Sequence, residues 1–266
     1  MAVLAAYAVP HPPIIIPGVG NGKELTIADT IASYEEVAKR IVSHKPDTIV
    51  VISPHAPSYP TTFAICDEDR LQGDLSQFHD KDDTISQPVD VEFCKALERG
   101  ARIQGIPAKR KAWKHHDLDH AAFIPLYFIN QVYTDFKVVE IGISGLSADQ
   151  HFELGEIITQ TAEWLGRRVV YVASGDWSHK LTEDGPYGFA PEGPRFDAVL
   201  KDCFFRNDLT SLFTMDEAMV NGAAECGLRP FQVIAGALES VRHTSEVLSY
   251  EGPFGVGYGV VALEVE

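Results

Sequence analysis

The stretch Thr48-Ile49-Val50-Val51-Ile52-Ser53, followed by Pro54-His55-Ala56-Pro57, is β-branched almost throughout and shows no polar alternation. Such a run suits a strand covered on both faces, as in the centre of a layered α/β sheet. Lys45-Pro46-Asp47 ends the segment before it, Glu24–His44, where Ile27, Ile31, Tyr34, Val37, Ala38 and Ile41 recur near helical spacing. The same strand ending appears twice more. Val3–Val9 is an apolar strand closed by Pro10-His11-Pro12-Pro13, and Arg168–Ser174 is a strand closed by Gly175-Asp176-Trp177-Ser178-His179.

The remaining chain fills in an alternating order. Thr61–Cys66 and Phe136–Ile143 read as strands, and Val89–Ile106, Ala121–Val132 (interrupted by Pro125) and Ala148–Leu165 as helices. Two or three helices follow between Arg195 and Val241, then strands at Glu246–Tyr250 and Tyr258–Val265. The acid-rich stretch Asp67–Pro88 reads as a surface loop. No repeat or Pro/Ser/Gly-rich linker divides the chain, so residues 1–266 are expected to form one layered α/β domain.

Charge and cysteine usage narrow the function. With 22 Lys and Arg against 38 Asp and Glu, the formal net charge is −16. A phosphate-backbone binder needs a basic face, and an anionic membrane surface attracts one too, so neither nucleic acid nor membrane is an expected partner. The four cysteines, Cys66, Cys94, Cys203 and Cys226, lie far apart without a Cys-x-x-Cys pair, which fits a reduced, cytoplasmic chain. Ala6-Tyr7-Ala8 mimics a signal-peptide cleavage site, but no basic segment precedes it, and no apolar run reaches membrane-spanning length.

Ten histidines in so acidic a chain need placing. His44, His79, His151 and His243 lie in polar or helical surroundings and call for no functional role. His11, His55 and His179 each follow a strand, and open α/β sheets bind ligands in the crevice beyond the carboxyl ends of their strands. A lone histidine in such a loop is more often a satisfied backbone partner; three in equivalent places point to one crevice. Asp176 suits either an orienting carboxylate for a histidine or the N-cap of a following helix. The run His115-His116-Asp117-Leu118-Asp119-His120 adds three more histidines. Asp119 reads as the N-cap of the next helix, with His120 in its first turn, where the dipole favours a neutral ring able to donate to a substrate oxygen. Glu225, set among small residues in Asn221-Gly222-Ala223-Ala224-Glu225-Cys226-Gly227, is the remaining acidic candidate, and Cys226 beside it is either a soft ligand or a small core residue.

Taken together, Pro10-His11-Pro12-Pro13, Ser53-Pro54-His55, Leu118-Asp119-His120, Gly175-Asp176-Trp177-Ser178-His179 and Glu225-Cys226-Gly227 resemble the LigB-like family, over nearly the whole chain and in the same order. That family comprises catalytic subunits of class III extradiol ring-cleavage dioxygenases and Memo-like relatives. The resemblance implies a three-layer α/β/α domain around a mixed sheet. It also implies non-haem Fe(II) held by His11, His55 and Glu225, with His179 as catalytic base, His120 as a second active-site histidine and Asp176 alongside them. The implied substrates are a small catecholic aromatic and O2, and a homo-oligomer is compatible with the family. Cys226-Gly227-Leu228-Arg229-Pro230 and the Gly-Asp-x-Ser-His context resemble the Memo-like branch, which implies a metal-binding accessory or interaction protein without ring opening as the alternative. A carboxylate third ligand suits Fe(II), whereas a thiolate suits Zn or Cu.

Overall fold

The computed structural model describes residues 2–113 and 118–266; His115 and His116 lie outside the described residues. In chain order the strands are β1 (Val3–Val9), β2 (Thr48–Ser53), β3 (Phe63–Cys66), β4 (Arg70–Leu75), β5 (Asp80–Pro88), β6 (Ala108–Lys111), β7 (Lys137–Gly142), β8 (Val169–Ser174), β9 (His243–Glu251) and β10 (Tyr258–Val265). The helices are α1 (Pro17–Gly20), α2 (Ala28–His44), α3 (Val91–Gln104), α4 (His120–Asn130), α5 (Ala148–Leu165), α6 (Glu192–Phe205), α7 (Glu217–Ala223) and α8 (Leu228–Leu238).

Eight strands form one mixed sheet in the order β6-β3-β7-β2-β8-β1-β10-β9. Strands β7, β2, β8 and β1 run parallel, while β3 and β10 run antiparallel to β7 and β1. Every residue of β2 and β8 is buried, which is why both read as unbroken apolar runs. Helices α2 and α4 pack together on one face, and α3, α5 and α8 on the other, giving the expected three layers. Side-chain caps start two of the longer helices: Asp90 accepts from Phe93 N at the start of α3, and Ser147 with Gln150 forms a capping box on α5.

Two elements depart from the sequence reading. The acid-rich stretch is a β-hairpin: β4 and β5 pair antiparallel as a separate two-stranded sheet. Only Leu71, Leu75 and Ile85 supply it with buried apolar side chains, too few to register as a strand pattern. Strand β6, Ala-Lys-Arg-Lys, escaped notice because an edge strand tolerates charge along its length.

The parallel neighbours β1, β8 and β2 end level with one another: Val9 pairs with Ser174, and Ile52 with Ala173. Their carboxyl ends therefore open onto one edge of the sheet, where the strand-end histidines emerge.

Candidate metal centre

His11 leaves β1 in a tightly fixed turn. Its backbone N–H donates to Asp176 Oδ1 at 2.8 Å, and the Tyr34 hydroxyl donates to the carbonyl of the preceding Pro10. Its Nδ1 lies 3.0 Å from Ser174 Oγ. A proton on Nδ1 directed at that oxygen leaves Nε2 as a free lone pair. The ring is buried, and burial holds its pKa at about 4 although the nearby Asp176 pulls the other way, so it is neutral near pH 7.

His55 sits two residues past β2, and Ser53 Oγ accepts from both His55 N and Ala56 N, at 3.1 and 3.2 Å. The His55 and His11 Nε2 atoms lie 3.1 Å apart. The His120 ring stacks on that of His55 with centroids 4.4 Å apart and lies 5.3 Å from that of His11. Asp119 caps α4 as expected, accepting from Ala121 N and Ala122 N. Burial, then the neighbouring His55, lowers the pKa of His120, which favours its neutral ring.

On the other side, the 175–176 and 226–227 segments meet backbone to backbone. A Cβ on Gly175 would stand 2.2 Å from the Gly227 Cα, so glycine is required for the approach. Cys226 N donates to Asp176 O at 3.4 Å, and Asp176 N donates to Cys226 Sγ at 3.2 Å. The thiol then lies 3.6 Å from His11 Nε2 and 3.8 Å from His179 Nε2. His179 Nε2 is also 3.8 Å from Asp176 Oδ2, and its ring stacks on Tyr187. No helix follows Asp176 until α6, so it caps nothing, and its Oδ2 lies 4.0 Å from His11 Nε2. Burial alone would raise its pKa, but His11, His179 and the His11 N–H hold it below the ordinary carboxylate range.

Two donor groups emerge among the described residues, each with its ligand atoms within 4.8 Å of one another: His11, His55 and Cys226, and Asp176, His179 and Cys226. Glu225 belongs to neither. Its Oε2 accepts from Leu228 N at 2.6 Å, so this carboxylate ties down its own turn while the next residue reaches the histidines. Burial raises the pKa of Glu225, and burial followed by the charge of Asp176 raises that of the Cys226 thiol strongly.

His55, Asp119 and His120 open onto a cavity of about 1140 Å³ whose outer wall is the β4–β5 hairpin, through Gln72, Ser76 and Thr84. Sequence reasoning missed this wall altogether. It also passed over Glu140, although one acid inside the apolar run Val138-Val139-Glu140-Ile141 is a readable signal.

The chain is similar to known proteins along most of its length. Protein CA_C1420 of Clostridium acetobutylicum is 37% identical over 99% of this chain, and a MEMO1 family protein of Pyrococcus abyssi is 24% identical over 81% of it. The matches span 58% and 64% of those relatives' own lengths. The crystal structure of uncharacterized protein JW3007 from Escherichia coli K12 superposes with a TM-score of 0.67, covering 97% of this chain and 99% of that one at 16% identity, a likeness of fold. The description "Catalytic LigB subunit of aromatic ring-opening dioxygenase" matches residues 5–261, and the chain, with its Memo-like features, belongs to that LigB family.

Proposed function

We propose that the chain is a metal-dependent extradiol dioxygenase that opens the ring of a catecholic aromatic with O2, both oxygen atoms ending in the product. The ion expected from the family is Fe(II), which His11, His55 and Cys226 would hold. The observation that carries this reading is the 3.1 Å separation of the His11 and His55 Nε2 atoms, with the Cys226 Sγ 3.6 Å from the first. Two nitrogens bound to one ion at about 2.0–2.1 Å and near a right angle stand about 3 Å apart, so the donors fit a transition metal. Such a metal supplies Lewis-acid and one-electron chemistry to a catechol and O2.

The chain's own groups serve the substrate. His179, held by Asp176 and Tyr187, takes a phenolic proton and returns it when the ring opens. His120, kept neutral by burial, donates to a substrate oxygen. The Phe78 ring packs edge-on against His120, with centroids 5.3 Å apart. Protein loaded anaerobically with Fe(II) should take up O2 with members of a catechol panel and yield a yellow ring-opened product. His179→Ala should keep the metal and lose turnover.

The thiol donor favours a second reading. A sulfur in place of the carboxylate departs from the two-His-one-carboxylate pattern of oxygen-activating iron. It supports a Memo-like metal-binding protein without ring opening, with Zn as the alternative ion. Metal analysis of freshly purified protein finding zinc or copper, together with no O2 uptake across the panel, would favour it.

A further inference from the structure

Glu140 lies in the middle of β7, opposite Val51 of β2, and is fully buried. No protein donor reaches either of its carboxyl oxygens among the described residues. Its backbone N–H donates to the Cys66 sulfur, and its side chain lies against the carboxyl of Asp119 within hydrogen-bonding reach. An ionised carboxylate without donors in such surroundings is costly, and a second carboxylate beside it makes it more so. Burial first, then Asp119, pushes Glu140 far above the usual carboxylate range.

Asp119 is already occupied as an acceptor. Its Oδ1 takes Ala121 N at 2.8 Å and Ala122 N at 3.2 Å, and the Ser53 hydroxyl lies 2.8 and 2.9 Å from its two oxygens. The same Ser53 oxygen accepts from His55 N and Ala56 N. A single chain of contacts thus runs from Glu140 through Asp119 to Ser53 and the His55 loop, and directly from Asp119 to the first turn of α4, where His120 stands.

We propose that Glu140 is a positioning residue: as the proton-bearing member of an acid–carboxylate pair, it donates to Asp119 and fixes the two segments that present His55 and His120. The proposal rests on the metal reading for His55 only where metal affinity is the readout. Outer partners that orient a ligand through hydrogen bonds are worth about 10- to 100-fold in metal affinity, and Glu140→Leu should cost that much. Glu140→Gln, whose amide still donates, should restore affinity to the wild-type value.

Infrared difference spectra at pH 8 between metal-free wild type and Glu140→Gln test the proton, and calorimetric titration with Zn(II) alone tests affinity. The expected result is a protonated-carboxyl C=O band in the wild type that vanishes in Glu140→Gln, with affinity lost in Glu140→Leu alone. Absence of the band overturns the proposal, and so does a Glu140→Leu protein that binds Zn(II) as the wild type does. If Glu140→Leu fails to fold, Ser53→Ala breaks the same chain further along and should weaken binding comparably; unchanged binding there overturns the proposal. If wild type itself binds no metal, the metal reading fails separately. Faster amide exchange at His55, Ala121 and Ala122 in Glu140→Leu, restored in Glu140→Gln, then reads the positioning, and unchanged exchange refutes it.

Discussion

His11 and His55 are 44 positions apart in the chain, yet their Nε2 atoms stand 3.1 Å apart. The cause is topological: β1 and β2 flank β8 on either side and run parallel to it, so residues just past their ends converge over the end of the strand between them. Convergence of donors is thus built into strand order.

On the proposed reading Cys226 and not Glu225 completes the donor set, so the two neighbours should separate cleanly on substitution. Cys226→Ser is expected to weaken Fe(II) or Zn(II) binding by more than about 100-fold, the upper end of what even an outer partner is worth. Glu225→Gln should bind with wild-type stoichiometry, because its carboxylate is committed to Leu228 N. Metal analysis and calorimetry on both variants decide the matter, and the reverse pattern would assign the ligand to the carboxylate.

Gly175→Ala should harm both stability and metal binding. The added Cβ would stand 2.2 Å from the Gly227 Cα, where backbone faces backbone and no side chain can swing aside. Overpacking of this kind costs about 1–3 kcal/mol. It also pushes Cys226 away from His11, so urea midpoint and metal content should fall together. A fully stable variant that lacks metal would show that the two effects are unconnected.

In metal-free protein His11 and His151 should each lower stability as the pH falls from about 6.5 towards 4, against the opposite contributions of the buried acids Glu140 and Asp197. Burial holds His11 and His151 at about 4, against an ordinary value of 6.5. In that window each ring binds fewer protons in the native state than in the unfolded chain. Its contribution to stability is therefore complete above the unfolded value and drains as pH drops through the folded one. At 1.36 kcal/mol per pH unit, each histidine accounts for about 3 kcal/mol. His151, whose Nδ1 donates to Ser147 O, is outside the donor groups, so His151→Gln should remove only its own share of the slope. A His151→Gln protein whose urea midpoint changes between pH 7 and pH 4.5 as the wild type's does would contradict this account.

Thr84→Phe should change substrate handling and leave the metal alone. Thr84 faces the cavity from the hairpin, whereas His11, His55 and Cys226 come from the main sheet and its loops. For bulky catechols a rise in KM is expected, with unchanged metal affinity; a weakened metal site would mean that the hairpin also shapes the donors.

Much of this was legible in the chain. Strands β1 and β2, helix α5 and strand β10 coincide with their sequence bounds because unbroken apolar runs or strong caps mark them. The grouping of His11, His55 and His179 was expected from where strands end, whereas His120 was expected in the first turn of a helix. The choice between Glu225 and Cys226 as ligand was not legible, because adjacent side chains diverge and it is the Gly175–Gly227 approach that brings the Cys226 thiol near His11. The hairpin was illegible for a different reason. It gains its order by closing over the cavity, with Leu118 N donating to Gln72 O, a contact between distant segments that leaves no local pattern.

That hairpin is a continuous insert between β3 and α3, in a sheet of its own. Because none of its backbone ladder is shared with the strands that carry the ligands, it can be lengthened, shortened or exchanged as a cassette. Substrate range and metal chemistry can accordingly evolve, or be engineered, on separate schedules.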